Sequence, residues 1–274
     1  MELSKKNKLI IHLLLIFSVI LTVFPYIWMV LTSLKTQAQS IQVPPVIIPS
    51  APQWSNYTRL FTILPFANFY LNTAVSTVII TFGQLFLCSM AAYAFARLKF
   101  WGRDVLFVLL LSLMMIPSQI YLIPQFLIIQ KIGLLNTISA LILPSLYSAY
   151  GTFLLRQFFM GIPKDLEEAA LIDGCNFFQI YYKIMLPLVV PGLIALGILV
   201  SLWSWNSLMW PLIVNTSTDK MTLSAGLANL SGRSGIQYPI LMAGSVLSSL
   251  PIITLFFIFQ KKFISGIAIT GSKG

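Results

Sequence analysis

Carboxylates are the scarcest groups in this sequence: seven Asp and Glu in 274 residues, with charged residues of both signs making up only 9%. A soluble domain carries roughly 25% charged residues. A chain so poor in charge cannot cover a water-facing surface, which excludes a soluble globular enzyme. Disorder is excluded as well, because it requires low hydrophobicity and 58% of this chain is hydrophobic. Only two cysteines occur, Cys88 and Cys175, one in an apolar run and one in a polar loop. They neither build a disulfide framework nor match a metal-ligand spacing. The single histidine, His12, lies near one end of an apolar run and reads as an interface-facing polar residue rather than a catalyst. No Gly-x-x-x-x-Gly-Lys, His-Glu-x-x-His or Gly-x-Ser-x-Gly occurs. The chain therefore has no loop to cradle nucleotide phosphates and no protease or esterase signature. Nothing in it calls for a metal or a cofactor.

What the chain has is apolar length. Stretches of spanning size run at about 9–31, 71–96, 105–129, 137–155, 186–214 and 238–259. About 20 apolar residues of helix cross a bilayer core, and runs without strand alternation cannot close a barrel. The expected fold class is an all-α membrane protein of six transmembrane helices, forming a single transmembrane domain over 1–274. The first run imitates a signal peptide. It exceeds the roughly 7–15 residues of a cleavable apolar region and lacks an Ala-x-Ala site, so a retained helix is expected.

Basic residues set the orientation, because Lys and Arg collect in cytoplasmic loops. The net charge is +10. Six spans put Lys5, Lys6, Lys8, Arg97, Lys99, Arg103, Arg156, Lys164, Lys183, Lys261, Lys262 and Lys273 on one side. Lys35, Arg59, Lys131, Lys220 and Arg233 fall on the other. Both termini of this multi-pass cell-membrane protein are therefore expected in the cytoplasm. No basic stripe with interleaved aromatics is present, so nucleic acid is not an expected partner; lipid is. Two outer loops, 32–70 with its proline-rich 43–54, and 215–237, are connectors or face an extracytoplasmic partner.

One loop breaks the charge pattern. The segment 156–185 lies between the fourth and fifth spans and holds Asp165, Glu167, Glu168 and Asp173, four of the seven acids. Pro163 suits a first helical position, the acids suit the positive end of a helix dipole, and Gly174 suits a left-handed stop. A helix of about ten residues is marginal alone in water, so it is expected to dock. An amphipathic helix on the membrane surface would carry bases on its polar face; this one is acidic, which favours a protein partner.

Glu168-Ala169-Ala170-Leu171-Ile172-Asp173-Gly174, nine further residues, then Ile184-Met185-Leu186-Pro187, resembles the EAA signature of integral membrane permeases of ABC importers. Phe24-Pro25-Tyr26, Ile132-Gly133-Leu134-Leu135-Asn136-Thr137, the run from Phe153 to Phe159, and Gln260 to Ile264 with Gly266 are similar to the carbohydrate-uptake, maltose-transporter-like group. The resemblance implies a type I importer architecture with a cytoplasmic coupling helix. It also implies three partners: a second permease subunit, a cytoplasmic ABC ATPase dimer and an extracytoplasmic solute-binding protein. ATP would be hydrolysed on the ATPase, so this chain is not itself an enzyme. The coupling residues it implies are Glu168, Ala169, Ala170, Asp173, Gly174, Leu186 and Pro187.

A sugar path needs polar groups and aromatic faces. Candidates are Gln119 in the proline-broken third span and Trp203, Ser204 and Asn206 in the fifth. Trp203, Asn206, Ser207 and Trp210 would share a face of one continuous helix. Glycerol-phosphate or a polyamine is the alternative cargo. An ion-coupled secondary transporter is the alternative class, but no Asp or Glu falls inside a predicted span, where such carriers usually place them.

Overall fold

The computed structural model describes residues 5–233 and 237–271, so Lys273, counted among the cytoplasmic bases, lies outside them. Among the described residues there are helices and turns and no strand. In chain order come α1 (Lys5–Ser33), α2 (Gln37–Ile41), α3 (Ser55–Ile63), α4 (Phe66–Arg97) and α5 (Arg103–Ser112). These are followed by α6 (Leu122–Lys131), α7 (Ile138–Ile142), α8 (Ala149–Met160), α9 (Asp165–Ile172) and α10 (Phe177–Ile180). The last are α11 (Leu186–Leu188), α12 (Val190–Trp205), α13 (Met209–Val214), α14 (Leu223–Arg233) and α15 (Tyr238–Gly271).

Among the described residues three helices are long and apolar enough to cross a membrane, and up to six spans result if each bent helix pair is counted as one. The six-span expectation holds in that form, with the third, fourth and fifth spans bent, the third at its expected proline break. Arg103–Met115 and Ser118–Lys131 meet at 95°, Ile138–Ser145 and Ala149–Met160 at 45°, and Phe177–Leu188 and Val190–Trp205 at 76°. Proline sets the sharpest bend. Ile116 and Pro117 are both extended, with ψ of 119° and 131°, because the residue before proline is pushed out of the helical region. The run 186–214 is also not continuous: α12 stops at Trp205 and α13 starts at Met209. The loop 215–237, expected on the outer side, is not irregular throughout, since α14 fills much of it.

The chain packs as two compact units, Met1–Ala67 with Gly226–Leu250, and Asn68–Ala225 with Pro251–Gly274. In the first, the 18-residue apolar window within Leu9–Ser33 has no buried residue. An apolar helix bare on every side is stable only in lipid or against a partner. Beyond it, the Asn56 Nδ2 donates to the carbonyls of Ser33 (2.8 Å) and Lys35 (2.9 Å), pinning the buried turn that follows α1.

The second unit has a core of Cys88, Ala92, Tyr93, Leu155, Phe159, Ala170, Ile180, Tyr181 and Met185, joined by Leu196 and Val200. α4, α8, the acidic loop and α12 all bury side chains there. A second cluster of Ile129, Ala140, Leu141 and Val214 joins α6, α7 and α13. Beside it Asn136, at φ 60°, accepts from the Thr216 and Ser217 amides at 2.7 and 2.9 Å. Asparagine is among the few side chains that tolerate this left-handed backbone.

Candidate functional site

The acidic loop folds from its own local signals. The first i to i−4 bond runs from the Glu168 amide to the Lys164 carbonyl, 3.1 Å, so α9 begins at Asp165 and Pro163 lies two residues before it. That corrects the expected first-turn proline and leaves α9 eight residues long. Asp165, Glu167 and Glu168 occupy the first turn, where exposed amides favour negative charge. The stop is a Schellman turn: Gly174 stands at φ +79°, its amide reaches the Leu171 carbonyl, and the Cys175 amide reaches Ala170 at 2.9 Å. Two residues on, Asn176 and Gln179 form a reciprocal capping box that starts α10. The Asn-x-x-Gln pattern is a legible start signal and explains why no slack remains between the two helices.

From Tyr181 to Met185 the chain takes a π-helical turn, then passes through Leu186 and Pro187 in α11 to the bend at Val189. Pro187 sits at a first-turn position, where its missing amide costs nothing. Leu186 is half-buried against the core.

The loop's two alanines part company. Ala170 is buried in the core, while Ala169 is exposed beside Glu168 and Asp173. The outer face also shows Leu166, Leu171, Ile172 (86% exposed), Phe177, Phe178 and Tyr182. Exposed apolar side chains this close in sequence to exposed acids make the loop a candidate docking surface.

Glu167 turns inward. Its Oε1 faces the Arg97 Nε at 3.5 Å, both side chains being largely buried. The Arg97 Nη2 donates to the Phe159 carbonyl at 2.5 Å and also to Ile162. Burial lifts the Glu167 carboxyl above the ordinary glutamate range, with Arg97 and Lys164 pulling it back down. Arg97 has no signal in the sequence that separates it from other cytoplasmic bases; its partners lie 62 to 70 positions away.

The second feature is a cavity of about 460 Å³ within the same unit. Gln119, Trp203 and Ser204 all line it, with Gln84, Gln125, Ser118, Ser207, Tyr121 and Trp210. No charged residue is among the lining residues. Trp203 is 56% exposed and packs against Tyr150, with ring centroids 5.5 Å apart and planes tilted by 60°. Asn206 is not in this lining; it follows the last residue of α12 and donates to its own helix at Leu202, 2.8 Å. The helix ends between Trp203 and Trp210, so the four residues share no single helix face, yet Trp203, Ser207 and Trp210 still line the one cavity and only Asn206 stays out of it. Trp210 also donates to the Ala140 carbonyl at 3.0 Å. Gln84 and Gln125 come from α4 and α6 and had no sequence-local reason to be grouped with α12.

Residues 84–268 match the family described as binding-protein-dependent transport system inner membrane component. The chain is 38% identical over 261 residues to the arabinooligosaccharides transport system permease protein AraQ of Halalkalibacterium halodurans, with 94% of each covered. It is 32% identical over 265 residues to the sn-glycerol-3-phosphate transport system permease protein UgpE of Yersinia pestis, covering 93% of this chain and 94% of that one. A chain in the crystal structure of a bacterial ABC transporter involved in the import of the acidic polysaccharide alginate superposes with a TM-score of 0.82. There the identity is 25%, over 96% of this chain and 99% of the other.

Proposed function

The chain belongs to the family of binding-protein-dependent transport system inner membrane components, and from that premise we propose that it is a permease subunit of an ATP-driven importer for sugars or oligosaccharides. The observation that carries the cargo is the cavity lining: amides, hydroxyls and aromatic rings, without a charged side chain. Such a wall suits the hydroxyls and C–H faces of a neutral sugar. A glycerol-phosphate cargo, suggested by the UgpE likeness, would favour a Lys or Arg that this lining lacks. Ion coupling would favour a carboxylate there, and that is lacking too.

ATP is hydrolysed elsewhere, since the chain has no phosphate-binding glycine loop. The acidic face of α9 is the docking surface for a cytoplasmic ATPase. Glu168, Asp173 and Ala169 meet the ATPase, Gly174 fixes the exit of the helix, and Leu186 and Pro187 carry its displacement into α12. Both termini then lie in the cytoplasm. A second permease completes a single translocating domain around the cavity, and a solute-binding protein delivers from outside.

Right-side-out membrane vesicles, or proteoliposomes with ATP trapped on the cytoplasmic side, test the class. Radiolabelled arabino-oligosaccharide uptake should require ATP on the cytoplasmic side, and a tag on this chain should retrieve an ATPase. Uptake driven by an ion gradient alone would overturn the proposal.

A further inference from the structure

We infer that the coupling loop drives α4 directly, through a stripe of three residues on that helix, as well as passing its motion along the chain to α12. The inference rests on the ATP-driven reading above. Ser89, Tyr93 and Arg97 are four residues apart, so they share one face of α4. All three meet the loop or its anchor. Arg97 faces Glu167 in the first turn of α9 at 3.5 Å and binds the carbonyls of Phe159 and Ile162, which lead into the loop. Tyr93 packs edge-on against Phe159 at 5.8 Å and against Tyr181 at 5.4 Å. The Ser89 and Tyr181 hydroxyls are hydrogen-bonded at 2.8 Å, fully buried.

The stripe therefore grips the loop at both ends, at Glu167 where α9 begins and at Tyr181 where the π-helical turn begins. A π-helical turn is a rare irregularity, frequent at functional sites, and displacement sent along the chain alone has to pass through it. The lateral grip bypasses it. A long basic side chain suits this role, because one nitrogen, Nη2, donates to two carbonyls while the charge faces the buried Glu167 carboxyl. Arg97 and Tyr181 are positioning residues.

Spin-label distances in the complex purified through a tag on this chain test the grip without a transported solute. Labels replace Lys164 and Trp101, both exposed, in a Cys88→Ala, Cys175→Ser background. Between the nucleotide-free and the ATP-vanadate states the 101–164 distance stays fixed, because loop and helix end move together. Arg97→Gln lets the distance change between the states, Arg97→Lys restores it, and Tyr181→Phe, with its ring kept, gives a partial loosening. A shift of about 5 Å, one helical turn, in the unsubstituted complex would overturn the inference; so would a fixed distance in Arg97→Gln. If no ATPase co-purifies, the ATP-driven reading fails first and this inference falls with it.

Discussion

The acidic loop and the polar cavity belong to the same compact unit and are built in opposite ways. The loop is made from neighbours in sequence: acids in a first turn, a Schellman glycine at φ +79°, a capping box three residues wide. The cavity is made from bends, which bring Gln84 of α4, Gln119 and Gln125 near a proline break, and Trp203 of α12 to one wall. The loop shows charge and apolar surface to the outside, and the cavity shows neutral polar groups to the inside. A surface that must be gripped by another protein gains from rigidity and charge. A path through which a solute must pass gains from weak, uncharged contacts that let it leave again.

The comparison breaks most readily at Glu168. It is exposed, so Glu168→Lys should insert and fold normally, surface changes usually costing within about 0.5 kcal/mol. Reversing its charge at a docking surface should nonetheless cut uptake at least about tenfold, since like charges across an interface cost several kcal/mol. The ATPase recovered with the tagged chain should fall in parallel. Normal recovery with normal uptake would mean that the acids are solvated ornament and the docking face lies elsewhere.

How much of this was legible follows from the same contrast. α9, its acidic first turn and its glycine stop are written in adjacent residues and could be read directly. Pro163 misled by two positions, because helix starts are set by which carbonyl accepts the first i to i−4 bond, here Lys164. The bends were foreseeable at Pro117 but not their angles, and α12 ends at Trp205, where Asn206 is only a weak stop signal inside a long apolar run. That hidden end removed Asn206 from the cavity. Arg97, Tyr93 and Ser89 were invisible for another reason: their meaning comes from Glu167, Phe159 and Tyr181, all more than 60 positions away.

On the cavity side the expected effect is smaller. Trp203 is half-exposed and packs at a tilt against Tyr150, and aromatic contacts of this kind contribute about 0.5–1.5 kcal/mol. Trp203→Ala should therefore lower maximal uptake by roughly two- to tenfold, with the recovered ATPase matching that of the unsubstituted chain. Loss of ATPase recovery in Trp203→Ala would erase the division of labour between the two regions.

The subtlest effect concerns Glu167, where the two designs meet: a loop acid placed in a core. Burial outweighs the pull of Arg97 and Lys164, so its carboxyl titrates above the ordinary range. An acid whose folded value is raised contributes stability that is complete below its unfolded value and fades as pH rises through the folded one. The Arg97–Glu167 pair thus fixes where α9 sits more than it strengthens the fold, as buried ion pairs often do. Amide-exchange protection of 168–174 in the purified complex, referred to unstructured peptide at each pH, should decline from pH 4 towards neutrality. Glu167→Gln should flatten that decline. A rise in protection over the same window would mean that Arg97 wins over burial, and the loop would then be held down by charge as firmly as it is aimed by it.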